Sequence, residues 1–76
     1  MKTWTDLDRA ILGITLTYQD GERVPVYVYS GDEIVSILMN RDGMTHEEAM
    51  EFVDYNIEGA YTGKDTPLLL WPAEDL

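Results

Sequence analysis

The chain has 76 residues, with fifteen acidic and five basic side chains, which gives a formal net charge of −10. This length predicts one domain, spanning residues 1–76, with a thin core and no deep cleft. The negative charge disfavours direct binding to nucleic-acid phosphates. The sequence contains no run of about 20 apolar residues, the length that a membrane span requires. The lack of cysteine excludes disulfides and thiolate chemistry.

The first dozen residues fit a short N-terminal helix. Leu7, Ala10 and Ile11 follow helical spacing, and Gly13 would end the helix. From residue 14 onward the pattern changes to strict alternation, which is typical of a strand. A short helix in front of the first strand is therefore one interpretation of this segment.

Two strands are predicted over residues 14–18 and 23–29, separated by a Gln-Asp-Gly-Glu turn. The length of the loop decides which faces of the two strands match. A two-residue loop places Leu16 on the face of Tyr27, whereas a three-residue loop pairs Leu16 with Val24. We favour the three-residue loop because it makes one face of the hairpin wholly aliphatic.

This register places Tyr27 and Tyr29 on the opposite face of the hairpin. If no other element covers that face, the two tyrosines form an exposed aromatic patch. Tyr27 and Tyr29 are therefore a predicted secondary interface. The corresponding alternative function is a non-catalytic interaction module, in the simplest case a homodimer formed through this face.

Two helices are predicted next, and each begins with the pattern of a capping box. Ser30 precedes the first helix, which ends before Gly43, and Thr45 precedes the second, which ends between Gly59 and Gly63. The residues that the second helix is expected to turn inward are Ala49, Met50, Val53, Ile57 and Ala60.

A short apolar run at residues 68–71, bounded by Pro67 and Pro72, predicts a third strand buried on both faces. The predicted order is strand, strand, helix, helix, strand. The fold class is therefore α+β, with a small antiparallel sheet made of the N-terminal hairpin and the C-terminal strand, packed by two helices.

Searches for catalytic and metal-binding motifs fail. His46 is the only histidine, and Met50 stands where a metalloprotease helix needs its second histidine. A calcium-loop pattern beginning at Asn40 fails because Thr45 occupies the position that requires glycine. We therefore expect no catalytic residues, no metal site and no cofactor, and we predict that the protein is not an enzyme.

The acidic residues concentrate in the second helix. Residues 42–58 contain six acids and no lysine or arginine. Four of them have the spacing of one helix face, and we call these the acidic stripe: Glu47, Glu51, Asp54 and Glu58. Along the axis they stand about 6, 4.5 and 6 Å apart, which is comparable to the phosphate spacing of about 3.4 Å along one strand of DNA.

Like charges four residues apart on a helix reduce its stability, and no lysine relieves them here. One interpretation is a phosphate-mimicking surface for a basic groove, and the other is an ordinary solvated helix face. The predicted partner-binding residues are Asp42, Glu47, Glu51, Asp54, Tyr55 and Glu58, with Tyr55 as an aromatic anchor.

The C-terminal half resembles a signature of small phage and prophage proteins, roughly D-G-x-T-x-E-E-A, then Y-N-x-x-G-A-Y-x-G, then T-P. The matching positions are Asp42, Gly43, Thr45, Glu47, Glu48, Ala49, Tyr55, Asn56, Gly59, Ala60, Tyr61, Gly63, Thr66 and Pro67. The resemblance implies a phage origin. Small acidic phage proteins without catalytic residues are in turn similar to anti-CRISPR inhibitors, many of which block the nucleic-acid channel of a Cas effector.

These observations predict a cytoplasmic protein of an infected bacterial cell. The expected partner is a basic nucleic-acid-binding protein, a Cas effector subunit, whose DNA-binding surface the acidic helix would block. Neither nucleic acid nor a membrane is an expected direct partner.

Overall fold

The computed structural model describes residues 1–58 and 63–75. The elements are β1 (Ile11–Gln19), β2 (Glu22–Ser30), α1 (Gly31–Asp42), α2 (His46–Val53) and β3 (Leu68–Leu70). Three single turns accompany them: a 3₁₀ turn at Asp8–Ala10, a π-helical turn at Asp54–Glu58 and a 3₁₀ turn at Ala73–Asp75. The α+β class and the predicted order of strands and helices are confirmed, and the N-terminal helix is reduced to a single turn.

The sheet is mixed rather than antiparallel throughout. Its strand order is β1-β2-β3, with β1 antiparallel to β2 and β3 parallel to β2. Parallel neighbours require a long crossover connection, which α1, α2 and the segment after them supply. The predicted direction of the C-terminal strand is therefore wrong.

The hairpin closes with the two-residue turn Asp20-Gly21, so the favoured three-residue loop is also wrong. Both turn residues have positive φ, 54° and 81°, as a type I′ turn requires. Leu16 consequently pairs with Pro25 instead of Val24. The turn whose twist matches the strands prevails over the register that would have made one face wholly aliphatic.

The core lies between one end of the sheet and the two helices. Its buried residues are Leu7, Ala10, Tyr29, Ile34, Val35, Ile37, Leu38, Ala49, Val53 and Ile57. A nine-residue strand spans about 30 Å, whereas the eight residues of α2 span about 12 Å. The helices are therefore too short to cover the whole hairpin.

Tyr29 occupies the centre of this core rather than an exposed patch. Its side chain is fully buried, its ring centroid lies 4.6 Å from that of Trp4, and its hydroxyl accepts a 3.0 Å hydrogen bond from the Trp4 backbone N–H. Burial raises the pKa of the Tyr29 hydroxyl. Tyr27 is partly buried against the same cluster, so the prediction of an exposed Tyr27/Tyr29 interface is wrong.

The helix ends follow the capping signals, whereas the burial of β3 does not follow its prediction. The Ser30 hydroxyl accepts from the Glu33 backbone N–H, and Gly43 ends α1 in the left-handed conformation, with φ 69°. Leu68 and Leu70 are 44% and 54% exposed, because they pair with Val28 and Ser30 and therefore lie on the sheet face opposite to Tyr29 and the core. The expected inward position of Ala60 and the helix end at Gly59 lie outside the described residues.

In the part of the chain that the structure describes, no helix is long and apolar enough to cross a membrane.

Candidate functional site

The start of α2 is fixed by a complete capping box. The Thr45 hydroxyl accepts a 3.2 Å hydrogen bond from the Glu48 N–H, and the Glu48 carboxylate accepts a 2.9 Å bond from the Thr45 N–H. Each side chain satisfies a backbone donor that the first turn of a helix leaves free. The predicted capping role of Thr45 is confirmed, and Glu48 is committed to the helix start.

Packing against the core orients α2 and the π-helical turn that follows it. Ala49 and Val53 are fully buried and Ile57 is 5% exposed, at intervals of four residues. This buried face turns the opposite side of the segment to solvent. The turn at Asp54–Glu58 is wider than an α-helical turn, because its hydrogen bonds span five residues, and such turns are frequent at functional sites.

Three of the predicted acids remain free on the exposed side. Glu47, Glu51 and Asp54 are all exposed, and none forms an ion pair or hydrogen bond with another described side chain. We call these three residues the free acids. Their negative charges repel one another and are available to an external cation.

The other two predicted acids are engaged within the molecule. The Trp71 Nε1–H donates a 3.1 Å hydrogen bond to the Glu58 carboxylate. Asp42 accepts two hydrogen bonds from the Arg41 guanidinium, of 2.9 and 3.0 Å, and this partner lowers the pKa of the Asp42 carboxyl. The indole is neutral, so Glu58 keeps its negative charge in a fixed position, whereas the charge of Asp42 is offset by Arg41.

Tyr55 lies beside the free acids and is 82% exposed. It borders a depression whose lining residues are Met44, Glu48, Glu51, Phe52, Tyr55 and Asn56. Met44 and Phe52 are not among the site residues predicted from the sequence. Phe52 is an apolar residue outside the four-residue spacing of the buried face, and this is the signal by which it could be identified.

The composition of this depression suits a basic side chain. A lysine or arginine can lay its aliphatic stem on apolar walls such as Met44 and Phe52 while its charge remains outside. The Glu51 carboxylate then faces the cation, and the ring of Tyr55 offers a surface on which a guanidinium can stack.

Within residues 1–58 and 63–75, no group of three or more His, Cys, Asp or Glu side chains could hold a metal ion. Comparison with protein-family models, curated proteins and solved structures finds no match to this chain.

Proposed function

We propose that this protein is a non-enzymatic inhibitor that binds a basic nucleic-acid-binding protein and blocks the surface on which that protein holds nucleic acid. The observation that carries the proposal is the exposure of Glu47, Glu51 and Asp54 on one side of α2 and its π-helical turn, with no cationic partner among the described residues. The free acids act as phosphate substitutes.

The energetics of the helix favour this interpretation over a merely solvated face. Glu47 and Glu51 are a like-charged pair four residues apart, which costs about 0.2–0.5 kcal/mol. The chain places no lysine or arginine between residues 42 and 58 to relieve it. A basic groove removes this repulsion on binding and replaces it with attraction.

Tyr55 and the depression beside it supply the part of the interface that depends on contact. Tyrosine is enriched among residues that dominate binding energy, because it combines a large apolar surface with a hydroxyl. The depression accepts one arginine or lysine of the partner, which fixes the register of the remaining charges. Charge then controls the rate of association, and Tyr55 controls the lifetime of the complex.

The resemblance to small phage proteins suggests the kind of partner. An acidic phage protein that blocks a nucleic-acid channel is an anti-CRISPR inhibitor, and its target is a subunit of a Cas effector in the cytoplasm of the bacterial host. This assignment depends on the likeness and on size and charge, whereas the basic character of the partner is argued from the free acids themselves.

Charge reversal tests the mechanism. Glu51→Lys combined with Asp54→Lys should weaken binding to the Cas effector at least about tenfold, because two attractive contacts become repulsive. The measurement is competition with labelled DNA for purified effectors, repeated at several salt concentrations. The matched control is Glu33→Lys with Glu74→Lys, two exposed acids elsewhere, which changes the net charge by the same amount.

The proposal predicts that the control pair retains most of the affinity and that wild-type binding weakens as salt increases. If the Glu51/Asp54 variant folds and displaces DNA as well as the control does, with unchanged salt dependence, the charge-mimicry mechanism is wrong.

A further inference from the structure

The first strand of the sheet carries a continuous exposed row of large apolar side chains. The row, called the β1 row below, consists of Leu12, Ile14, Leu16 and Tyr18, which are 59%, 58%, 49% and 76% exposed. Among residues 1–58 and 63–75, β1 is an edge strand with no neighbour on its outer side, so these side chains accompany an unpaired backbone edge. A long apolar edge strand is a template for pairing with another strand.

The register of the hairpin shows which backbone groups are free. Gln19 and Glu22 flank the two-residue turn and exchange both backbone hydrogen bonds, as residues in this position of a type I′ hairpin do. Bonding then alternates along β1, so the N–H and C=O groups of Ile14, Leu16 and Tyr18 point away from β2. The residues that expose apolar side chains are thus the residues whose backbone groups are available to a new strand.

Pro25 agrees with this pattern. It lies opposite Leu16 in a pair without mutual backbone hydrogen bonds. The N–H that proline lacks would not have bonded to β1 at this position, so no hydrogen bond between the two strands is lost.

The charge distribution identifies the kind of strand that fits. β1 has no charged residue between positions 11 and 19, in a chain of net charge −10. Protected edge strands usually carry lysine or proline, and β1 carries neither. The exposed charged residues next to its two ends are Asp8 and Arg9 before the strand and Asp20 after it.

We propose that β1 pairs with β1 of a second copy of this chain, antiparallel and about a two-fold axis at Thr15. In this register Ile14 lies opposite Leu16 of the second copy, and Leu12 lies opposite Tyr18 of the second copy. All four members of the β1 row then have apolar neighbours across the interface. A shift by two residues in one direction places Leu12 opposite Asp20, and a shift in the other direction places Tyr18 opposite Ala10, whose side chain is buried.

The same register brings opposite charges together at both ends of the paired strands. Arg9 of each copy comes next to the turn residue Asp20 of the other, because residues 10 and 20 are opposite in this alignment. A two-fold axis repeats each contact, so the surface is complementary to itself. The two three-stranded sheets become one continuous sheet across the dimer.

This dimer is independent of the proposed inhibitory function. The free acids and Tyr55 belong to α2 and the π-helical turn, whereas the β1 row belongs to the sheet edge. Failure of one proposal leaves the other intact.

The first test is the molar mass in solution. Light scattering and sedimentation over a range of concentrations should give twice the 8.7 kDa of one chain for the wild-type protein. Leu16→Glu should reduce the mass to 8.7 kDa, since it places a charge between the paired edges. The matched control is Leu70→Glu, because Leu70 is a similarly exposed leucine on the opposite edge of the sheet, and this variant should remain a dimer.

The second test fixes the register. Residues opposite each other without mutual backbone bonds have Cα atoms about 4.5 Å apart, within the range of about 4.4–6.8 Å that a disulfide spans. Thr15→Cys should therefore form a disulfide-linked dimer on mild oxidation in a chain that otherwise lacks cysteine. Thr17→Cys should cross-link far more slowly, because its two copies lie four residues apart along the strands, about 13 Å.

Circular dichroism establishes that each variant is folded before its mass is interpreted. A wild-type protein that stays monomeric at the highest concentration overturns the proposal, even if the β1 row then binds some other protein. A Leu16→Glu variant that remains dimeric, or equal cross-linking at positions 15 and 17, overturns it as well.

Discussion

The C-terminal segment packs against the start of the first helix at Gly31. A Cβ built on this buried glycine would lie 2.6 Å from three ring atoms of Trp71, a separation that side chains do not tolerate. The Trp71 indole is held in this place by its hydrogen bond to Glu58. The absence of a side chain at Gly31 therefore allows the C-terminal segment to cross the start of α1.

We expect Gly31→Ala to reduce the free energy of unfolding by about 1–3 kcal/mol, because a methyl group is forced into a filled space. Urea denaturation measures this loss, and the NMR signal of the Trp71 indole N–H reports whether the ring has moved. Gly13→Ala is the control, since a Cβ there meets nothing within 4 Å. Equal free energies of unfolding for the two variants would show that the Trp71 ring can move away from residue 31 without loss of stability.

At the level of the secondary-structure elements, the features that sequence predicted well are those decided by neighbouring residues. Thr45 and Glu48 lie three residues apart, and the side chain of each accepts a hydrogen bond from the backbone N–H of the other at the start of α2. Gly43 ends α1 because it adopts a left-handed conformation at low cost. The alternation of the strands and the helical spacing of the acids are local in the same sense.

Features that depend on contacts between residues distant in the chain cannot be predicted from neighbouring residues. The burial of Tyr29 depends on Trp4, which lies 25 residues away along the chain, and the direction of β3 depends on where the crossover ends. The hydrogen bond that ties Glu58 to Trp71 has the same origin. In the candidate site, spacing therefore located Glu47, Glu51 and Asp54 but not the engagement of the outer acids.

The hairpin is an intermediate case, because its sequence is compatible with two registers. Burial of apolar side chains favours the three-residue loop, and turn geometry favours the two-residue loop that the structure contains. The positive φ angles of Asp20 and Gly21 show the opposite order for this hairpin. The resulting exposure of Ile14 and Leu16 is the origin of the β1 row.

The capping box at Thr45 should contribute measurably to the stability of α2. Thr45→Ala should destabilise the protein by about 1 kcal/mol, the usual cost of losing an N-cap hydroxyl. It should also weaken partner binding, because Glu47 lies in the first turn that the cap holds. Thermal unfolding and the DNA-competition measurement provide the two readouts.

Thr45→Ser is the matched control for this change. Serine keeps the hydroxyl and caps at least as well as threonine, so both stability and binding should stay close to wild type. A Thr45→Ala variant as stable as Thr45→Ser would mean that the box contributes little to α2.

For the whole molecule, the dominant property is an uneven charge on an elongated body, which measures 41 × 25 × 20 Å. The net charge of −10 opposes the compact state through self-repulsion. The same charge favours association with the proposed basic partner and opposes association with a second copy of the chain, except along the uncharged β1. Salt should therefore increase the stability of the fold and of the dimer, and weaken binding to the proposed partner.

We expect the melting temperature to rise between about 0.01 M and about 0.15 M sodium chloride, as the Debye length falls from about 30 to about 8 Å and repulsion is screened. Over the same range, binding to the basic partner should weaken, because that attraction is screened too, while the dimer formed through the β1 row should strengthen. Calorimetry, DNA competition and sedimentation measure the three quantities.

A variant with Glu47→Gln, Glu51→Gln and Asp54→Asn removes three negative charges, so its melting temperature should depend less on salt. A melting temperature that stays constant or falls would contradict the assignment of a destabilising self-repulsion to this chain. Dimerisation weakened by salt would indicate that the attraction between Arg9 and Asp20 outweighs the repulsion between the net charges of the two copies.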